Sequence, residues 1–155
     1  MNCSFCFSGV SVRKRVVKIF RDVCLTQTDF VRIPDICARL LRRLNDEESI
    51  RKLVFDTFQQ IWFTPTRDRY ELRNRVQTII DVLIDGQKQN NTWLETLIKE
   101  FLHIDEKLSN EEKRKLQEQR QIVLKAIQDL INELVESILK IESANDQVKL
   151  RSKFH

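Results

Sequence analysis

Two glycines and two prolines in 155 residues leave this chain little with which to make tight turns. That argues against a sheet protein built from many hairpins, and it rules out a glycine-rich loop around a phosphate. Histidine is as scarce: His103 and His155 are the only two. Cys3 and Cys6 form a CxxC, but no second pair stands at a zinc-site spacing. There is no HExxH, no nucleophile elbow and no pair of carboxylates in an evident cleft, so no catalytic residue, metal or cofactor is expected. An enzyme or metal protein built on Cys3 and Cys6 is the rival reading. No apolar run approaches the ~18 residues that cross a bilayer, so no membrane partner is expected. The opening MNCSFCFSGV has no basic stretch and does not read as a signal peptide. It is expected to be the truncated or mis-joined end of a longer protein. Cys24 and Cys37 lie at apolar positions and read as small buried hydrophobes, which fits a reducing compartment, cytosol or nucleus.

What the chain does have is 41% apolar and 32% charged residues, the profile of an all-helical protein of one domain-sized unit. The most informative stretch is LLRRLNDEESIRKLVFDTFQQIWFTP, from Leu40 to Pro65. It reads as a helix end, a short turn and a second helix. Asn45 and Asp46 are suited to end one helix and cap the next. Glu47 and Glu48 put negative charge where the new helix dipole favours it. Ile50, Leu53, Val54, Phe58, Ile61 and Trp62 then make one apolar face, and Pro65 stops the helix.

The same pattern occurs 38 residues earlier. Ser11-Val12-Arg13-Lys14 aligns with Ser49-Ile50-Arg51-Lys52. Val16, Phe20, Val23 and Cys24 then align with Val54, Phe58, Ile61 and Trp62. A period near 40 with paired helices is the mark of a HEAT or armadillo array, so the expected fold is an all-α, HEAT-type α-solenoid of paired antiparallel helices. The order Leu-Leu-x-x-Leu-Asn-Asp-Glu-x-x-Ile-Arg also resembles the HEAT pattern. That resemblance implies a structural ion pair between Asp46 in the turn and Arg51 early in the second helix.

In chain order, residues 1–9 are expected to be an irregular end, 10–142 a HEAT-repeat segment and 143–155 a disordered polar tail. Ser11 is suited to cap a first helix to about Leu25, with Val12, Val16, Ile19, Phe20 and Val23 inward. Pro34 suits the first turn of the next helix, which buries Ile36, Cys37, Leu40, Leu41 and Leu44. A further helix from Asp68 to about Asp85 turns Leu72, Val76, Ile79, Ile80, Leu83 and Ile84 inward, with Gly86 as its cap. A short helix runs from Thr92 to about Leu102, and Asp105 to Asn110 is a polar break. The last helix runs from about Glu111 to Glu142. Its charged first third is expected to project or fray, and Ile122, Val123, Ala126, Ile127, Leu130, Leu134, Ile138 and Leu139 form its apolar part. Trp62 and Trp93 read as core, and His103 as a surface or capping residue.

Positive charge is concentrated near the start. Val10 to Leu44 holds nine Lys or Arg against three Asp, a net +6 where the whole chain carries +4. Arg13, Lys14, Arg15, Lys18, Arg21, Arg42 and Arg43 are the candidate basic face. Such a ridge attracts phosphate by counterion release without reading sequence. A solvated face that merely keeps the array soluble is the bland alternative.

SVRKRVVKIFRDVC, RRLNDEESIRKLVFDTFQQIWFTPT and LVESILKIE together resemble the HEAT-repeat region of the Nipped-B family, the large subunit of the cohesin loader. The resemblance covers roughly Gly9 to Glu142 and is weakest from Arg67 to Arg120. It implies a fragment of a much longer, non-catalytic nuclear scaffold that helps load cohesin onto chromatin. The implied partners are cohesin subunits and chromatin DNA, contacted without sequence specificity. The loader's smaller subunit would be met only through a region absent here. A generic HEAT or armadillo adaptor that binds protein alone is the competing expectation.

Overall fold

A computed structural model describes residues 9–85, 92–103 and 109–153. Among these residues every regular element is helical. α1 spans Val10–Thr26, α2 Ile33–Leu41, α3 Glu48–Ile61, α4 Arg69–Asp85, α5 Trp93–Leu102 and α6 Asn110–Lys153. A 3₁₀ turn, Arg42–Asn45, joins α2 to α3. The expectations for the Cys3–Cys6 CxxC, the Gly86 cap and most of the Asp105–Asn110 break fall on residues 1–8, 86–91 and 104–108, outside the described residues; Asn110, expected in that break, begins α6.

Next-but-one helices are the main neighbours. α1 lies against α3, α2 against α4, and α4 against α6. Aromatic rings join α5 to α3: Phe55 meets Phe101 edge-on at 6.1 Å, and Trp62 lies 5.8 Å from Trp93. Phe58 and Trp62 stack 4.6 Å apart one turn from each other, and Phe63 stands 5.1 Å from Phe101. Both tryptophans therefore serve the core. α3 runs through its middle, with Ile50, Val54, Phe55, Phe58, Ile61 and Trp62 all buried. The 3.6-residue spacing makes that stripe, and Phe55 and Thr57 widen it because α3 has neighbours on more than one side. Thr57 is buried without an orphan hydroxyl, since its Oγ1 donates to the Leu53 carbonyl at 2.7 Å.

Several boundaries differ from expectation. Ser11 lies inside α1, whose cap is Gly9, with no side-chain cap bond. Glu47 rather than Asn45 or Asp46 is the α3 cap, again through backbone alone. α2 starts as expected, with Pro34 in its first turn. The first third of α6 is helical from its first residue. Ser109 and Glu112 close a reciprocal capping box there: the Ser109 hydroxyl and amide donate to Glu112 Oε2 at 2.6 and 3.0 Å. Nor does α6 stop at Glu142; it continues to Lys153 in place of a disordered tail. No glycine or proline interrupts residues 143–153, so nothing in the covalent chain breaks the helix there.

α6 turns Val123, Ala126, Leu130 and Glu133 onto α4. Ile122, Leu134, Ile138 and Leu139, expected inside, are exposed, because the buried line falls one to two residues away on the wheel. In α4 Val82 is buried while Ile84 is exposed, for the same reason.

Candidate nucleic-acid and partner interface

α1 and α3, which match in sequence at an offset of 38 residues, also begin at that offset, Val10 against Glu48. Their caps share one backbone conformation: φ −55, ψ 155 at Gly9 and φ −59, ψ 155 at Glu47. Arg13, in the first turn of α1, reaches Asp46 and Glu47 at the start of α3 at 3.3 and 3.7 Å. The two N-terminal ends therefore lie together, and the helices run side by side in one direction.

This pairing decides the fate of the basic residues. Asp46 Oδ2 lies 3.3 Å from Arg13 and 3.4 Å from Arg43, so the two halves of the ridge meet on one largely buried carboxylate. Arg13 itself is mostly covered because it falls on the same side of α1 as Val17 and Cys24. The expected Asp46–Arg51 pair is corrected accordingly. Arg51 follows the inward Ile50 by one residue, about 100° round the helix, so it is turned outward, is exposed, and makes no ion pair among the described residues. Asp46 Oδ1 accepts from the Glu47 amide at 2.9 Å instead, which turns the carboxylate back toward α1 and the 3₁₀ turn. Arg21 is held by its neighbour Asp22, through Nε at 3.0 Å and Nη2 at 2.8 Å.

Lys14, Arg15, Lys18 and Arg42 remain, with no ion pair to a described acidic residue. The repeat separates them further. Lys14 and Lys18 correspond to Lys52 and Asp56, both exposed on α3. Arg15 corresponds to Leu53, which is half-buried. Val12 and Ile19 are 49% and 59% exposed, whereas their equivalents Ile50 and Thr57 are both 0%. Val12, Arg15 and Ile19 of α1 are thus exposed where their α3 counterparts are covered or half-buried; Lys18 is exposed as well, and Lys14 is half-buried.

Sequence reasoning missed a second charged cluster, between α4 and α6. Glu133 is 3% exposed, with Arg73 Nε at 3.1 Å and Arg69 Nη2 at 3.5 Å. Arg69 also binds Glu136. Burial pushes the Glu133 carboxyl up, but Arg73 and then Arg69 outweigh it and hold the group below the usual range. The signal was present in the sequence. Glu133 continues the Val123, Ala126, Leu130 line at helical spacing, and an acid in a core register needs a cationic partner. The cluster joins α4 to α6.

No protein-family model matches the chain. Curated relatives do. Nipped-B-like protein A of Danio rerio is 41% identical over 139 residues, covering 88% of this chain. The Homo sapiens Nipped-B-like protein is 40% identical over the same share, and the Drosophila melanogaster Nipped-B protein is 36% identical over 90%. This chain belongs to the Nipped-B family. It spans only 5% of the vertebrate relatives' length and 7% of the fly protein's. Among the described residues no helix is long and apolar enough to cross a membrane.

Proposed function

We propose that this Nipped-B chain is a HEAT-type solenoid segment of a cohesin-loading factor, a non-catalytic scaffold that helps hold cohesin on chromatin DNA in the nucleus. The observation that carries this reading is the side-by-side match of α1 and α3 at a 38-residue offset, within a chain where next-but-one helices pack together. Stacking of that kind is how an array buries faces that no single repeat can bury. The cohesin and chromatin roles rest on the family. Lys14, Lys18 and Arg42 are the side chains offered to DNA phosphate, beside the exposed Arg15.

The protein-only adaptor keeps one observation in its favour: Arg13, Arg21 and Arg43 are already held by carboxylates, which removes three of the seven expected cations. Reversing Lys14, Lys18 and Arg42 to Glu separates the two readings. The scaffold reading expects duplex-DNA affinity to fall about tenfold or more with helical content unchanged, since removing a phosphate-binding cation weakens binding uniformly across sequences. Unchanged affinity in a folded triple variant would favour the adaptor.

A further inference from the structure

The ends of α1 and α3 and the starts of α2 and α4 enclose a cleft of about 300 Å³. That is the small end of ligand sites, so it suits one side chain rather than a cofactor. Ile33, Ile61 and Trp62, all buried, give it an apolar lining, and Leu25 and Tyr70 line it nearer solvent. Polar groups converge on the same space, and most are already engaged. Arg75, the one cation in the lining among the described residues, binds Glu71 at 2.5 Å and donates to the Thr64 carbonyl. Glu71 also accepts from the Thr66 hydroxyl at 2.6 Å. Asp68 is different. Its Oδ1 accepts from the Tyr70 amide at 2.9 Å and so caps α4, but the carboxylate has no ion pair among the described residues. Arg69, its neighbour in the chain, turns instead to Glu133 and Glu136. Asp29 likewise has no ion pair among the described residues. Its Oδ1 accepts from the Tyr70 hydroxyl at 3.3 Å, which sets a second carboxylate beside the same ring.

We propose that this cleft is a docking site for an arginine side chain of a protein partner, with the guanidinium on Asp68 and the aliphatic stem against the apolar lining. The choice of occupant follows from charge and shape. The cleft holds an anion without a counter-ion, and its walls are apolar, so it takes a cation carried on an apolar stem. A guanidinium presents a planar fork of N–H donors that fits a carboxylate through two parallel bonds. Its face also stacks on an aromatic ring such as that of Tyr70. The half-buried Asn74 and Thr78 add side-chain oxygens that accept further N–H groups. A nucleic acid does not fit, because carboxylates without counter-ions repel phosphate. A purely apolar side chain would cover Asp68 and leave its charge unpaired. The inference stands apart from the DNA contacts proposed above and holds for the scaffold and the adaptor alike.

The test is an NMR titration of the isotope-labelled full chain with Nα-acetyl-arginine amide. The backbone amide signals of Asp68, Tyr70 and Asn74 are expected to shift and to saturate. Nα-acetyl-citrulline amide, the neutral isostere, is expected to bind about fivefold more weakly, the loss of one partly exposed ion pair. Asp68→Asn should weaken the arginine probe to the same degree, and it keeps the α4 cap because the amide oxygen still accepts from Tyr70. No saturable shift at the cleft, equal affinity for the arginine and citrulline amides, or unchanged affinity in folded Asp68→Asn would overturn the proposal. So would equal binding of Nα-acetyl-leucine amide, which would make the cleft merely apolar. Cleft signals that move with protein concentration alone would place a second copy there and overturn it too. The comparison of probes needs no variant, so it decides the matter even if Asp68→Asn folds poorly.

Discussion

Arg13 on α1 reaches Asp46, the last residue before the α3 cap, at 3.3 Å, with both side chains less than a fifth exposed. A residue expected in a DNA-binding ridge instead ties α1 to the start of α3. Asp46→Ala removes the carboxylate shared by Arg13 and Arg43 and leaves Arg13 largely covered without it. We expect a loss of about 1–3 kcal/mol in chemical denaturation, the range for losing one partner of a charged hydrogen bond. Arg51→Ala, at the position that the HEAT pattern pairs with Asp46, should stay within about 0.5 kcal/mol of wild type.

The repeat offers a matched pair of substitutions. Ile50→Ala empties a 0% exposed core position and should cost about 2–5 kcal/mol. Val12→Ala, at the position 38 residues earlier on α1, should change stability by about 0.5 kcal/mol or less, because Val12 is 49% exposed. Urea unfolding of the two variants checks this. Equal losses would mean that α1 is covered as α3 is.

Acidification tests the α4–α6 cluster. The folded-state pKa of Glu133 lies below its unfolded value, so the stability it contributes is fully present above the ordinary glutamate pKa of about 4.3 and is lost as pH falls through the folded value. Glu133→Gln should therefore be less stable than wild type at neutral pH, with the gap closing below about pH 4. Denaturant midpoints measured across that range give the result directly. A gap independent of pH would show that packing, not charge, makes the difference.

Much of this was legible in the sequence. The α3 stripe, Pro34 in the first turn of α2 and the 38-residue offset all depend on local spacing, which helical geometry turns directly into a buried face. The choice of ion-pair partner depends instead on which helix lies beside which. Arg51 is closer to Asp46 in sequence than Arg13 is, yet Arg13 is brought to Asp46 by the packing of α1 on α3. The same limit hid Arg73 and Glu133, 60 residues apart. It also hid the exposure of Val12 and Ile19, apolar residues at core spacing that no described neighbour covers. The capping box of Ser109 and Glu112 is local and was readable at its three-residue spacing, but the charged residues that follow it overshadow the signal.

The most direct test of the central claim is the affinity of the purified chain for short duplex DNA at 50 and 200 mM salt. With Lys14, Lys18 and Arg42 engaging about three phosphates, log affinity should fall against log salt with a slope of about −2.7, a loss of roughly 40-fold across that range. Binding absent at the lower salt, in a sample whose circular dichroism is helical, would contradict a DNA-gripping role for this segment of the Nipped-B family.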